Sequence, residues 1–302
     1  MTDVFLLGGP TASGKSALAV KLALSHGLEI VSADAMMVYR GLDVGTAKPT
    51  EAERAGVPHH MVDVADVRDG FSVHAWADGA VQAIEAAAAR GVPALVVGGT
   101  GFYLSALTEG LPAAPQADLE VQAGLWERLE REGLDALVAE LEAASPQDAV
   151  RAARNPRKVV RALEVLLRTG RPPTAFGMTA LPVRAHACWL TPSMEVLEPR
   201  IWQRTRHMFA AGWAQEAGGL DVEALGTARQ ALGYAEARLV FEGELTEAEA
   251  VERVAVATRR YAKRQLTWFA KRPADVRVSA LGEDAEVAVA GWLEGALENA
   301  GV

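Results

Sequence analysis

The sequence predicts an α/β protein: a three-layer αβα core with a mainly parallel sheet, interrupted by an inserted all-helical domain. Three observations carry that prediction. Over the first hundred residues short β-branched apolar runs alternate with helical stretches, the pattern of parallel strands joined by crossover helices. The first run leads directly into the glycine-rich stretch Gly9-Pro10-Thr11-Ala12-Ser13-Gly14-Lys15-Ser16, a strand-to-helix turn. After Gly110 the composition shifts, and from Ala117 to about Leu167 helical patterns follow one another with no strand candidate between them.

Taken in order, Val4 to Leu7 reads as the first strand and Lys15 to about Ser25 as the helix behind it. Glu29 to Ser32 is the second strand, and Gly41 to Pro58 is an irregular stretch rich in glycine, proline and charge. Met61 to Val64 reads as a third strand. An alanine-rich helix runs from Ser72, an N-cap residue, toward Arg90, where Gly91-Val92-Pro93 stops it. Ala94 to Val97 is the fourth strand. Leu111-Pro112-Ala113-Ala114-Pro115 reads as a linker, and Arg171-Pro172-Pro173 closes the helical region. Ala185 to Leu190 then resumes the α/β pattern. The tail is mostly helical, with a capping box at Thr246-Glu247-Ala248-Glu249 opening a helix toward Lys271. The expected domains are a core of residues 1–111 and 184–302 and an insertion of residues 112–183.

The chain has 302 residues, half of them apolar, so a full core is within reach. A single cysteine, Cys188, rules out an intrachain disulfide framework. The start is too short in apolar residues for a secretory signal, and no run approaches the ~20 residues of a membrane helix. A cytosolic monomer is the expectation. The net charge of -9 argues against a uniformly nucleic-acid-binding surface, but leaves room for a local basic groove.

Residues 9–16 match G-x-x-x-x-G-K-[ST], the phosphate-binding loop (P-loop) pattern, in full. Such a loop aims backbone N–H groups at an anion at a helix N-terminus, Lys15 adds a point charge, and the Ser16 hydroxyl can hold Mg²⁺. The second strand ends in Ser32-Ala33-Asp34. Carboxyl ends of neighbouring parallel strands converge on one crevice, so Asp34 is a candidate for holding metal or removing a proton; capping the next turn is its other reading. The fourth strand ends in Gly98-Gly99-Thr100 without the acidic residue that holds Mg²⁺ in hydrolytic nucleotide enzymes. Support for a motor or switch is weakened there.

Two segments could form a basic groove. Residues 259–272 hold six basic residues and no acid. At helical spacing Arg260, Arg264 and Lys271 project together, while Tyr261, Gln265, Trp268 and Arg272 line a neighbouring stripe. Basic residues interleaved with aromatics suit a nucleic-acid backbone with exposed bases, or a terminal phosphate; a solvated face is the alternative. In the insertion, Asn155-Pro156 starts a helix on which Arg157, Arg161 and Arg168 share a face with Glu164. Cations near a helix N-terminus oppose its dipole, which favours an outside anion as their purpose, with one of them paired to Glu164.

The P-loop, the run from Asp34 to Pro49, Pro58-His59-His60, Gly98 to Tyr103, Arg161 to Val165, Gly233-Tyr234 and Thr258 to Phe269 together resemble the successive signatures of tRNA dimethylallyltransferases, in order from about residue 4 to 272. The resemblance implies transfer of a dimethylallyl group from dimethylallyl diphosphate to N6 of the adenosine just 3′ of the anticodon. It implies that Gly9, Pro10, Thr11, Ala12, Ser13, Gly14, Lys15 and Ser16 hold the diphosphate with Mg²⁺ on Ser16, and that Asp34, Lys15 and Thr11 serve the chemistry. It further implies that the tRNA anticodon stem-loop is met by Asp34, Ala35, Met36, Met37, Thr100, Gln122, Arg157, Lys158, Val159, Val160, Arg161, Arg229, Gln230, Gly233 and Tyr234. Arg260 and Arg264 join that set from the basic segment. The chain departs from the common pattern at Ala35, at Asn155-Pro156-Arg157-Lys158 and at Ala235. The rival functions are a free-adenylate isopentenyltransferase, a small-molecule kinase and an RNA-binding nucleotide switch.

Overall fold

The computed structural model describes residues 1–221 and 223–301. The chain divides into two compact units, Met1–Thr108 with Leu181–Val302, and Glu109–Ala180. Its strands are β1 (Thr2–Gly8), β2 (Glu29–Ala33), β3 (His59–His60), β4 (Ala94–Gly98), β5 (Leu111–Pro112), β6 (Met178–Thr179), β7 (Val183–Leu190) and β8 (Val276–Val278). In the first unit six of them form one sheet in the order β3-β2-β4-β1-β7-β8, every pair parallel. Val4, Phe5, Leu6 and Leu7 are fully buried, which is why the central strand reads as a continuous apolar run without alternation.

The helices are α1 (Lys15–His26), α2 (Glu51–Arg54), α3 (Val73–Ala88), α4 (Gly101–Glu109), α5 (Leu119–Glu132), α6 (Leu134–Ala144), α7 (Pro146–Ala152), α8 (Pro156–Thr169), α9 (Met194–Ala210), α10 (Trp213–Gly218), α11 (Tyr234–Phe241), α12 (Glu247–Ala270) and α13 (Glu283–Ala300). Leu18 and Leu22 of α1 and Val289 and Leu293 of α13 pack with Phe5 and Leu7 on one core. On α3 the buried Trp76 stacks on Tyr103 and donates its indole N–H to the Ser32 carbonyl at 2.8 Å, which pins the helix to the end of β2. Local signals form as read: Ser72 accepts from the Ala75 N–H, and Thr246 and Glu249 make the reciprocal capping box of α12.

Two expectations are corrected. The third strand is His59–His60 instead of Met61 to Val64, because Met61 and Asp63 adopt left-handed backbone (φ 60° and 58°) and cannot continue a ladder. That bend delivers the Asp63 carboxylate to the buried Lys48 ammonium at 2.5 Å. Leu111-Pro112, expected as linker, instead pairs antiparallel with Met178-Thr179 inside the second unit. The tail also contributes an edge strand, β8, which at three residues shows no period of its own.

The second unit is built on α5 to α8 around Leu125, Leu137, Leu141, Val159, Val160 and Leu163. Glu164 is fully buried beside that core. Its carboxylate accepts from the Asp118 N–H and the Gln122 amide, both at 2.7 Å, and is ion-paired to Arg161 and Arg168.

Candidate active site

The carboxyl ends of β1, β2 and β4 open into one crevice of the first unit. Here β1 turns into the P-loop, where Gly14 at φ 84° precedes α1 and Ala12 also takes a positive φ. Gly9 is required by a neighbour: a Cβ there would lie 2.9 Å from the Leu190 Cβ of β7. The Lys15 ammonium donates to the Pro10 carbonyl at 3.3 Å. Burial, with Arg204 nearby, pushes its pKa down to about 8, while Asp34 pulls the other way. Ser13 Oγ is buried without a hydrogen-bond partner among the described residues, an orphan that an anion in the loop would satisfy.

Opposite the loop, Asp34 follows β2 directly. One of its oxygens accepts from the N–H groups of Met36 (2.9 Å) and Met37 (3.4 Å), which orients the carboxylate. The Thr100 hydroxyl accepts from the Ala35 N–H at 3.0 Å, and the Thr100 N–H donates to the Ala33 carbonyl, so the ends of β2 and β4 are stitched together beside Asp34.

Between the two walls lies a cavity of about 360 Å³ lined by Thr11, Lys15, Ser16, Asp34, Thr100 and Arg204 on its polar side. Ile201, Met208, Trp213, Leu232 and Val254 supply an apolar side. Arg204, from α9, donates to the Thr46 carbonyl at 3.3 Å; burial lowers its pKa, and Asp34 offsets part of that. A guanidinium this desolvated, beside a phosphate loop, is suited to an anionic ligand. The Gly45-Thr46-Ala47 edge of the cavity is braced by Glu216 of α10. Its carboxylate accepts from the N–H groups of Asp43, Val44 and Gly45 at 2.7–3.0 Å and from the Tyr234 hydroxyl at 2.6 Å.

Apart from Gly9, Pro10, Ala12, Ser13 and Gly14 of the P-loop, the residues predicted from sequence fall into three groups. Thr11, Lys15, Ser16, Asp34, Ala35, Met36, Met37, Thr100, Gln230 and Arg264 line the cavity together. Arg157, Lys158, Arg229 and Arg260 are exposed. The rest turn inward. Val159 and Val160 belong to the core of the second unit, so their side chains cannot contact RNA. Arg161 and Gln122 hold Glu164, and Arg161 also donates to the Pro115 carbonyl. Arg168 pairs with Glu164 as well; the buried carboxylate, more than an outside anion, accounts for these two arginines. Tyr234 is buried on Glu216, and a Cβ on Gly233 would lie 2.3 Å from the Trp213 ring.

Sequence reading missed Arg200, Arg204, Gln265 as a site residue, and Glu216. Arg200 donates to the Ala12 carbonyl at 2.8 Å, and Gln265 accepts from the Thr11 N–H at 2.9 Å. The α9 residues lie outside any motif, and only the four-residue spacing of Arg200 and Arg204, which puts both on one helix face, hinted at a shared target.

Among the described residues no cluster of three or more His, Cys, Asp or Glu could cage a cation. A lone hydroxyl at Ser16 fits Mg²⁺ carried largely by phosphate oxygens and water, the usual habit of that ion.

The family model described as IPP transferase matches residues 37–272. A tRNA dimethylallyltransferase of Deinococcus radiodurans is 50% identical over 273 residues, 88% of this chain and 89% of the relative. One of Thermus thermophilus is 47% identical over 296 residues, 97% and 98%. The solved tRNA isopentenylpyrophosphate transferase of Bacillus halodurans superposes with a TM-score of 0.72 at 33% identity, covering 100% of this chain and 98% of that one. A eukaryotic dimethylallyltransferase solved acting on tRNA gives a TM-score of 0.72 at 27% identity, covering 89% and 70%.

Proposed function

This chain belongs to the IPP transferase family, and from that premise we propose that it transfers a dimethylallyl group from dimethylallyl diphosphate to N6 of the adenosine just 3′ of the anticodon in tRNA. It is a tRNA-modifying prenyltransferase. The observation that carries the finer reading is the cavity itself: a phosphate loop and a carboxylate on facing walls, with an apolar side formed by Ile201, Met208, Trp213, Leu232 and Val254. An isoprenoid diphosphate has both an anionic end and an apolar end. A nucleotide-hydrolysing reading explains the loop but leaves the apolar wall without a purpose.

In this reading Lys15, Arg204 and the loop N–H groups meet the charge that develops on the departing diphosphate. Mg²⁺ on Ser16 would add Lewis-acid stabilisation of the same charge. The adenine amine is a weak nucleophile because its lone pair is delocalised. Asp34 accepts its proton as the C–N bond forms, and the Met36 and Met37 N–H groups hold the carboxylate for that task. A stacked base must be extruded to reach the cavity, at a cost of a few kcal/mol, and Arg260 and Arg264 on α12 are suited to holding the backbone while that happens.

The test is incubation with radiolabelled dimethylallyl diphosphate and Mg²⁺ against unmodified tRNA and, separately, AMP and ATP. Label in tRNA alone is expected. Label in a free nucleotide would overturn the choice of acceptor, and label nowhere would overturn the reaction.

A further inference from the structure

Gln265 of α12 lines the cavity and bonds to both of its walls. It is buried, and its carboxamide is used at both ends: Oε1 accepts from the Thr11 N–H at 2.9 Å, and Nε2 donates to the Gly99 carbonyl at 2.9 Å. Thr11 belongs to the phosphate loop. Gly99 precedes Thr100, whose hydroxyl holds the Ala35 N–H beside Asp34. A single side chain therefore links the diphosphate wall to the proton-accepting wall. The approach is close enough to explain the glycines in Gly99-Thr100-Gly101: a Cβ at Gly99 would fall 2.4 Å from the Gln265 amide, and one at Gly101 2.6 Å from the Trp268 ring.

We propose that Gln265 is a positioning residue for the transfer, fixing the separation between the phosphate loop and the Asp34 wall through its paired bonds to Thr11 and Gly99. The proposal rests on the reading of the cavity as the transfer site. Asn is too short to span both partners, and Leu offers neither bond. Glu keeps length and shape but, ionised, has only acceptors, so it turns a carboxylate toward the Gly99 carbonyl; protonated, it regains a donor.

The wild type is assayed first with labelled dimethylallyl diphosphate and tRNA, so that failure of the proposed reaction is seen separately. If it transfers, Gln265→Leu and Gln265→Glu are compared with it for kcat, for KM of each substrate, and for binding of inorganic diphosphate by calorimetry. Misplacement of about an ångström costs roughly 100-fold in rate. The expected result is a fall in kcat of that order for Gln265→Leu, with KM for tRNA within about twofold of wild type. For Gln265→Glu, the ratio of its kcat to wild type at the same pH should rise as pH falls and the buried carboxyl protonates. That ratio removes pH effects common to the two proteins, and a merely structural defect would not follow pH in this way. The Glu variant keeps the test open should the Leu variant not fold. Wild-type kcat in a folded Gln265→Leu protein, or a Glu-to-wild-type ratio flat with pH, would overturn the proposal.

Discussion

At the scale of single residues, two side chains carry opposite duties across one cavity. Asp34 is oriented by backbone N–H groups and, among the described residues, makes no ion pair, which suits it to the proposed role of proton acceptor. Asp34→Asn keeps that shape without the basicity, and the expected outcome is a loss of transfer of about 10²- to 10⁴-fold with tRNA affinity preserved. Single-turnover rates and filter binding check it; equal turnover in the two proteins rejects the base assignment. Lys15 has its pKa lowered to about 8, below the ordinary 10.5, so it is mostly charged below about pH 8 and loses its proton above it. Its contribution to diphosphate affinity is therefore full at pH 7 and declines by up to about tenfold per pH unit beyond 8. Calorimetry on wild type and Lys15→Ala should give a Kd ratio that is large at pH 7 and shrinks by pH 9.5, and a constant ratio would contradict the shift. Both residues were legible because their positions are set by a strand end and a loop motif. Arg204 and Glu216 were not, because each reaches the cavity edge from a helix whose sequence shows only its packing.

At the scale of elements, α8 and α12 looked alike as basic helices, and the structure separates them. On α12, Arg264 is exposed at the cavity with its guanidinium 5.6 Å from the Tyr261 ring centroid. On α8, Arg161 is drawn inward by the fully buried Glu164. Periodicity placed Glu164 and the arginines on one face correctly, but could not say that the face closes on α5, since the Asp118 N–H and Gln122 become visible as partners only once α5 is in place. The two helices should fail differently. Arg264→Ala is expected to weaken tRNA binding and lower the slope of log affinity against log salt by roughly one, with the melting temperature unchanged. Arg161→Ala is expected to cost about 2 kcal/mol of stability in the second unit, because a buried carboxylate loses a charged donor while keeping Arg168, Gln122 and the Asp118 N–H. Thermal melting beside a salt titration of binding distinguishes the outcomes, and an intact melting curve for Arg161→Ala would return that residue to the RNA-facing set.

At the scale of the whole chain, the parallel sheet gives its two edges different work. The carboxyl ends of β1, β2 and β4 make the cavity, whereas the amino ends hold two ion-paired clusters. Asp3 at the start of β1 accepts from Arg184 and His186 at 2.6–2.7 Å, and Glu29 at the start of β2 accepts from Arg90 and His60 at 2.7 Å. Hydrogen bonds from Arg184 hold Asp3 below the usual carboxylate range; for Glu29 burial pushes upward, and the bonds from Arg90 and His60 more than reverse it. Both folded pKa values are thus depressed. Their contribution to stability is present above the unfolded value near 4 and is lost as pH falls through the lower folded values. The wild-type melting temperature should accordingly drop steeply between about pH 4 and pH 2. A protein carrying Asp3→Asn and Glu29→Gln should melt lower at pH 7, change less on acidification, and still transfer the dimethylallyl group at the wild-type rate at 25 °C. Scanning calorimetry across pH with a parallel transfer assay decides it. An unchanged acid limb would show that these clusters do not govern acid unfolding, and a loss of transfer in the folded double variant would show that the amino edge of the sheet is not independent of the cavity at the other.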